Sequence, residues 1–249
     1  MKTSKAYDLP LRIFHWVFAM LFATSFYIAK VIDDDSALYV YHMLSGLIMT
    51  GLILLRVIWG FWGPKTARFS SFPLSINELI NYFTSLFSHK TKRYLGHNPA
   101  SSYAAIVMFI FTLGLATTGI LMSLRINKHF FEDIHELAAN GFIILVIIHI
   151  VGVIFHQIKH KDGMAFSMIN GKKQQVLDEE QIESNHPIVA TILIVLLLSM
   201  GFTLNKGYDP TTGKLSLLGV SLQLGDSEDH EGHNESKNGL EHHEEDDDD

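Results

Sequence analysis

The chain has 249 residues, 48% of them hydrophobic and only 18% charged, and it contains no cysteine. That excludes disulfides, cysteine-ligated iron–sulfur clusters and covalent C-x-x-C-H attachment of a haem. The formal charge of −7 is concentrated in an acidic C-terminal run, and nothing in the composition calls for a nucleic acid partner.

Residues 13–29, 36–55, 94–124, 137–158 and 184–205 carry no Asp, Glu, Lys or Arg. A bilayer span takes about 20 mostly apolar residues, so five transmembrane helices are expected. The first, about 11–28, follows Pro10, and Arg12 and Lys30 can snorkel to its two interfaces. No A-x-A-like cleavage site follows it, so it is expected to stay as an anchor. The second, about 39–61, closes on Trp59, Gly60, Phe61, Trp62, Gly63 and Pro64. Aromatic residues suit the interface there, and Gly-Pro stops the helix.

In the long loop that follows, Ser75-Ile76-Asn77-Glu78 reads as a capping box. Ile76, Leu79, Ile80, Phe83 and Phe87 then recur at helical spacing, which predicts a short amphipathic helix, about 74–88, lying on the interface. The third span, about 101–124, follows Gly96-His97-Asn98-Pro99; the fourth covers about 135–158 and the fifth about 187–204. From Asp226 the chain is a low-complexity acidic tail with His230, His233, His242 and His243, too polar to fold alone. The expected architecture is an all-α membrane protein. A four-helix bundle occupies 1–175, a linker and fifth transmembrane helix 176–205, and an external, disordered tail 206–249.

Lys2, Lys5, Arg12, Arg56, Lys65, Arg68, Lys90, Lys92, Arg93, Lys159, Lys161, Lys172 and Lys173, 13 of the 19 basic residues, fall on one side of this arrangement. The positive-inside rule makes that side cytoplasmic. The N-terminus is then inside and, after five spans, the C-terminus outside. Asp33, Asp34, Asp35, Glu132 and Asp133 fall in the opposite loops.

Four histidines stand in the apolar segments: His15, His42, His135 and His149. Ionisable groups inside a bilayer are costly and usually mark function, and imidazole is well suited to bind haem iron. His135 and His149 are 14 residues apart, which on a helix is about 21 Å along the axis and within about 40° of one face. With helices of alternating direction, His15 pairs in depth with His149, and His42 with His135. That is the arrangement needed for two non-covalent b-type haems, one near each face. Any one of these histidines alone is better explained as polar packing; His135, beside Glu132, Asp133 and Glu136, is the weakest of the set. His156 and His160, near the end of the fourth span, are expected to snorkel, and His89, His129 and His186 to lie in loops. Arg12, Arg56 and Arg68 on the cytoplasmic side, and Arg125 and Lys128 outside, suit haem propionates. Positive-inside anchoring explains them equally well. Gly46, Gly51, Gly114, Gly119, Gly141 and Gly152 leave room either for neighbouring helices or for a flat macrocycle.

Several short motifs recur in order along the helices. They are Arg12-x-x-His15-Trp16, His42-x-x-x-Gly46, Arg56-x-x-Trp59-Gly60, Ala67-Arg68-Phe69, Gly96-His97-Asn98-Pro99 and His149-Ile150-x-Gly152-Val153. On these the chain resembles the bacterial cytochrome b561 and nickel–iron hydrogenase b-type cytochrome family, from about Tyr7 to Lys173. Two features depart from it: Ser101 stands where the family often has glycine, and the fifth helix and acidic tail lie outside the family core. The resemblance implies a dihaem membrane core in a bacterial inner membrane, with His15, His42, His135 and His149 as iron ligands and electron exchange with quinone. The expected partners are membrane lipid, quinone and a redox protein, either a c-type cytochrome or a hydrogenase-like subunit. Two rival functions remain: a membrane reductase of an external acceptor such as a metal chelate or superoxide, and a non-redox metal-handling or transport protein.

Overall fold

The computed structural model describes residues 3–86, 94–174 and 181–224. Lys2, Phe87, His89, Lys90, Lys92, Arg93 and the acidic, histidine-bearing stretch from 226 lie outside the described residues. Five helices are long and apolar enough to cross a membrane: α1 (Leu9–Val31), α2 (Val40–Trp62), α4 (Pro99–Ser123), α5 (Lys128–His160) and α7 (Pro187–Gly207). Two shorter helices, α3 (Ile76–Leu86) and α6 (Met164–Asn170), lie in the connections.

Local chemistry sets the helix starts. Asp8 caps α1 by accepting the Leu11 N–H at 3.3 Å, with Pro10 in the first turn. Asn98 and Ser101 form a reciprocal capping box at the head of α4, and Pro99 occupies the first turn, where a missing N–H costs nothing. Ser101, the departure from the family's glycine, thus supplies half of the cap. The amphipathic segment forms α3, with Ile76, Ile80 and Phe83 exposed and Tyr82 turned into the protein.

α1 runs along α2 and α4 along α5; the two hairpins meet through α2 and α4, and α7 packs on the outside against α1 and α2. The helix ends sort into two sets, as alternating spans require. At one end, β1 (Thr3–Lys5) pairs antiparallel with β2 (Lys172–Gln174), and Ala6, Tyr7, Leu11, Ala67 and Leu95 form a core with Trp59 and Met168. This end carries the basic cluster and is called the basic end below. At the opposite end, residues expected in the tail instead form a meander of β3 (Tyr208–Asp209), β4 (Lys214–Leu217) and β5 (Val220–Gln223). Its Leu215, Leu222 and Leu224 pack with Val40, Leu44 and Leu204. Along the spans the outward side chains are apolar and exposed, among them Ile147, Ile148, Val151 and Ile154 of α5 and Leu198 and Phe202 of α7. That is the surface a bilayer covers.

Lys173 of the basic end is 2% exposed, and its Nζ donates to the Tyr94 and Gly96 carbonyls at 2.7 and 3.4 Å. Two histidines are placed differently from the sequence expectation. His129, expected in a loop, lies in the first turn of α5. His156, expected to snorkel, is 4% exposed, because a tyrosine from α3 and an aspartate beyond the helix end supply it with partners.

Candidate functional site

α5 carries a seven-residue stripe: His135, Phe142, His149 and His156. Seven residues are close to two turns, so these side chains share one face. Phe142 and His156 are the two buried residues of the helix; His135 and His149 are half-buried. This face looks toward α1 and α2, yet among the described residues no Cα of α5 comes within 8 Å of one in either helix. Helices in direct contact have axes about 8–10 Å apart, so α5 stands off from the helices that carry His15 and His42. Phe22 of α1 and Phe111 of α4 meet Phe142 at mid-height, with ring centroids 4.9 and 5.7 Å away. The aromatic layer separates an upper histidine pair from a lower one.

At the end opposite the basic one, His42 and His135 face each other with ring centroids 6.2 Å apart and planes 71° apart. Two imidazoles bound through nitrogen at about 2 Å on either side of one metal ion have centroids roughly 6 Å apart. The far nitrogens are already engaged. Nδ1 of His42 donates to the Ser25 carbonyl at 2.9 Å, with the Ser25 hydroxyl also at 2.9 Å. Nδ1 of His135 lies 2.8 Å from the Thr118 hydroxyl. A histidine held through Nδ1 presents Nε2, the orientation a second-shell partner gives to a metal ligand. At the basic end His149 lies within electrostatic reach of His15. Neither ring hydrogen-bonds another group among the described residues, so this pair is not oriented in the same way.

Small residues stand beside both pairs. A Cβ added at Gly46, one turn beyond His42, or at Gly152, one turn beyond His149, would meet no atom within 4 Å; at Gly119 it would meet only His135 Cε1, at 3.7 Å. By contrast, Gly51 admits the Met200 side chain of α7 and Gly60 admits the Phe69 ring, so those two serve packing.

The basic end also holds shielded polar atoms that have no hydrogen-bond partner among the described residues: Arg12 Nε, Arg56 Nη1, Thr66 Oγ1 and Ser102 Oγ. Buried polar groups are almost always satisfied, so these atoms have capacity for a further polar partner. Arg56 is 4% exposed. Its Nη2 donates to the Ala67 carbonyl at 2.9 Å, and its guanidinium sits 5.1 Å from the Phe69 centroid. Arg68 is exposed. At the other end, Arg125 and Lys128 lie exposed in and just after the α4–α5 turn. The sequence marks His97 only as part of a motif. The structure sets its ring 4.5 Å from Phe72. Burial, with Arg56 and Lys173 nearby, pulls it down to about 3, so it is a neutral imidazole. Next to it, Asn98, Tyr82, His156 and Asp162 form a buried hydrogen-bonded chain.

Among the described residues no three His, Asp or Glu side chains converge to hold a bare metal ion. Opposed pairs of imidazoles suit a metal whose remaining positions are filled by a planar macrocycle. Five helices long and apolar enough to cross a membrane, with His42 and His135 opposed across a stand-off between helices, define the class: an integral membrane protein with two imidazoles placed on either side of one position. The family model for prokaryotic cytochrome b561 matches residues 6–171, and the chain belongs to that family. Relatives include probable Ni/Fe-hydrogenase B-type cytochrome subunits. That of Rhodobacter capsulatus is 24% identical over 67% of this chain and 80% of its own length. That of Rhizobium leguminosarum bv. viciae is 24% identical over 67% and 87%, and that of Escherichia coli K12 24% over 66% and 88%. No solved structure matches the chain. Membership makes this a multi-pass membrane b-type cytochrome and implies haem b and haem-mediated electron transfer.

Proposed function

We propose that the protein carries electrons through two non-covalent b haems between the quinone pool and a redox partner at the other membrane face. His15 and His149 hold one haem and His42 and His135 the other. Arg12 and Arg56, with exposed Arg68 at the margin, meet the propionates of the haem at the basic end. The haems supply one-electron iron chemistry; the chain sets their ligands, burial and local charge. Phe142, between the pairs, keeps water out of the midplane.

The lysine and arginine bias makes the basic end cytoplasmic, the N-terminus inside and the C-terminus outside. Because the relatives are named as hydrogenase cytochrome subunits, a hydrogenase-like subunit is one proposed partner; a c-type cytochrome is the other. The protein is then an electron-transfer subunit, with quinone as the substrate.

The observation that carries this reading is the His42–His135 opposition with both Nδ1 atoms already bonded. Reduced-minus-oxidised visible spectra of the purified protein test it. Two b-haem components reducible by a quinol are expected; a protein without a haem spectrum, or one that no quinol reduces, contradicts it.

A further inference from the structure

His156 continues the stripe of α5 two turns beyond His149, about 10 Å along the axis toward the basic end. Its Nδ1 lies 2.9 Å from the Tyr82 hydroxyl and its Nε2 3.1 Å from the Asp162 carboxylate. Tyr82 in turn accepts the Asn98 amide N–H at 3.0 Å. All four side chains are buried. Three separate elements converge here: α3 brings Tyr82, the cap of α4 brings Asn98, and the turn after α5 brings Asp162.

The chain of bonds accommodates both charge states of the ring. In the neutral ring, Nε2–H donates to Asp162 and Nδ1 accepts the Tyr82 O–H. In the protonated ring, Nε2–H keeps the Asp162 bond and Nδ1–H donates to the Tyr82 oxygen, whose hydrogen rotates away. Only one hydroxyl has to turn. The other ionisable groups nearby are His160 on the same helix, its ring 4.5 Å away, Lys159, which reaches the Ser85 carbonyl, Lys161 beside Asp162, Tyr94, its ring 6.5 Å from Tyr82, His97 beside Asn98, and Lys173 of β2, which acts on Asp162. α6 contributes no ionisable side chain. Among the described residues, Asp162 is the buried carboxylate bonded to the ring, placed to hold an imidazolium as an orienting aspartate does elsewhere.

We propose that His156 is a redox-linked proton site. It takes up one proton when an electron arrives at the His15–His149 end of the bundle and releases it when the electron leaves. This rests on the reading that His15 and His149 hold a haem. In each cycle one electron comes from the quinol or redox partner and one proton from water on the basic side. The one bond made and broken is N–H at His156. An added electron places negative charge in a medium of low dielectric, and a proton two turns away offsets it. Quinone chemistry requires protons to move with electrons, and a buried site beside the electron's path couples the two.

The test is a spectropotentiometric titration of the haem-loaded, full-length protein between about pH 5.5 and 8.5, the range in which an imidazole exchanges its proton. A tenfold change in equilibrium is worth about 59 mV in a one-electron couple. The potential of the haem that is lost in His149→Ala should therefore fall by up to about 59 mV per pH unit as pH rises. In His156→Gln the slope should vanish with both haems retained. In Asp162→Asn the sloping region should move to lower pH, because the imidazolium loses its counter-charge. Proton uptake on reduction, read with an indicator dye in the unmodified protein, provides the same answer should the glutamine variant fail to fold. A slope that persists in His156→Gln, or reduction of the unmodified protein with neither slope nor proton uptake, overturns the proposal. Absence of the haem at the His149 end overturns the functional reading instead, and is visible in the spectrum before any titration.

Discussion

The Thr118 hydroxyl meets Nδ1 of His135 at 2.8 Å, and the Leu115 carbonyl bonds the same ring. His42 is held in the same way, by the carbonyl and the hydroxyl of Ser25. In each support a backbone carbonyl remains when the hydroxyl is removed. Thr118→Val and Ser25→Ala should therefore each weaken haem binding at the His42–His135 pair by less than the roughly 10–100-fold that outright loss of a second-shell partner costs. Haem-to-protein ratio and the rate of haem loss measure both; complete loss of that haem in either variant contradicts the assignment.

Gly46 and Gly152 adjoin the two histidine pairs in space where an added Cβ meets no atom of the chain. Replacing a mid-helix glycine generally favours the helix by up to about 1 kcal/mol. Gly46→Leu and Gly152→Leu should therefore leave the helical fold intact while each reduces occupancy of one haem. Unchanged spectra and potentials in both would mean that these glycines face lipid.

Asp162 has a pH signature of its own. Burial raises its pKa, but the bond from His156, the charge of Lys173 and the Met164 N–H outweigh burial and hold it at about 2. A carboxylate depressed in the folded state contributes stability that is fully present above its ordinary value near 4 and is lost as pH falls toward 2. The contribution is on the order of 2 kcal/mol. Thermal unfolding in detergent should therefore show a loss of stability across that acid window, and Asp162→Asn should flatten it. An identical acid profile in the variant contradicts the role of the carboxylate.

The spans were legible because each is a long run without charge, and four of the five helices begin within about two residues of the expected position. α5 is the exception. It starts at Lys128, since Glu132 and Asp133 lie on an extension of the helix beyond the apolar run, where hydropathy carries no signal. The meander was hidden by the polar tail that follows it. Its mark was the alternation in Lys214-Leu215-Ser216-Leu217 and Val220-Ser221-Leu222-Gln223 around Gly219, a period of two. Depth in the spans singles out His42, His135, His15 and His149, and the structure sets the first two ring to ring. His97 and His156 were missed because their partners are distant in sequence, Tyr82 being 74 residues from His156. No local pattern separates such a histidine from one that snorkels.

Two truncations separate the meander from the tail. A chain ending at Leu224 keeps Leu215 and Leu222 packed on Val40 and Leu44 and should retain both haems and its melting temperature. A chain ending at Gly207 exposes that cluster and should melt lower, since burial of each large apolar side chain is worth about 1.5–3 kcal/mol. Loss of haem in the first truncation would tie the acidic tail to the core.

The central claim is the pairing of the four histidines, and haem content with potentiometric titration of the four single alanine variants tests it most directly. His15→Ala and His149→Ala should remove the same spectral component and spare the other. His42→Ala and His135→Ala should share the opposite loss. Two results contradict the account: His135→Ala retaining both haems at unchanged potentials, or His15→Ala matching His42→Ala.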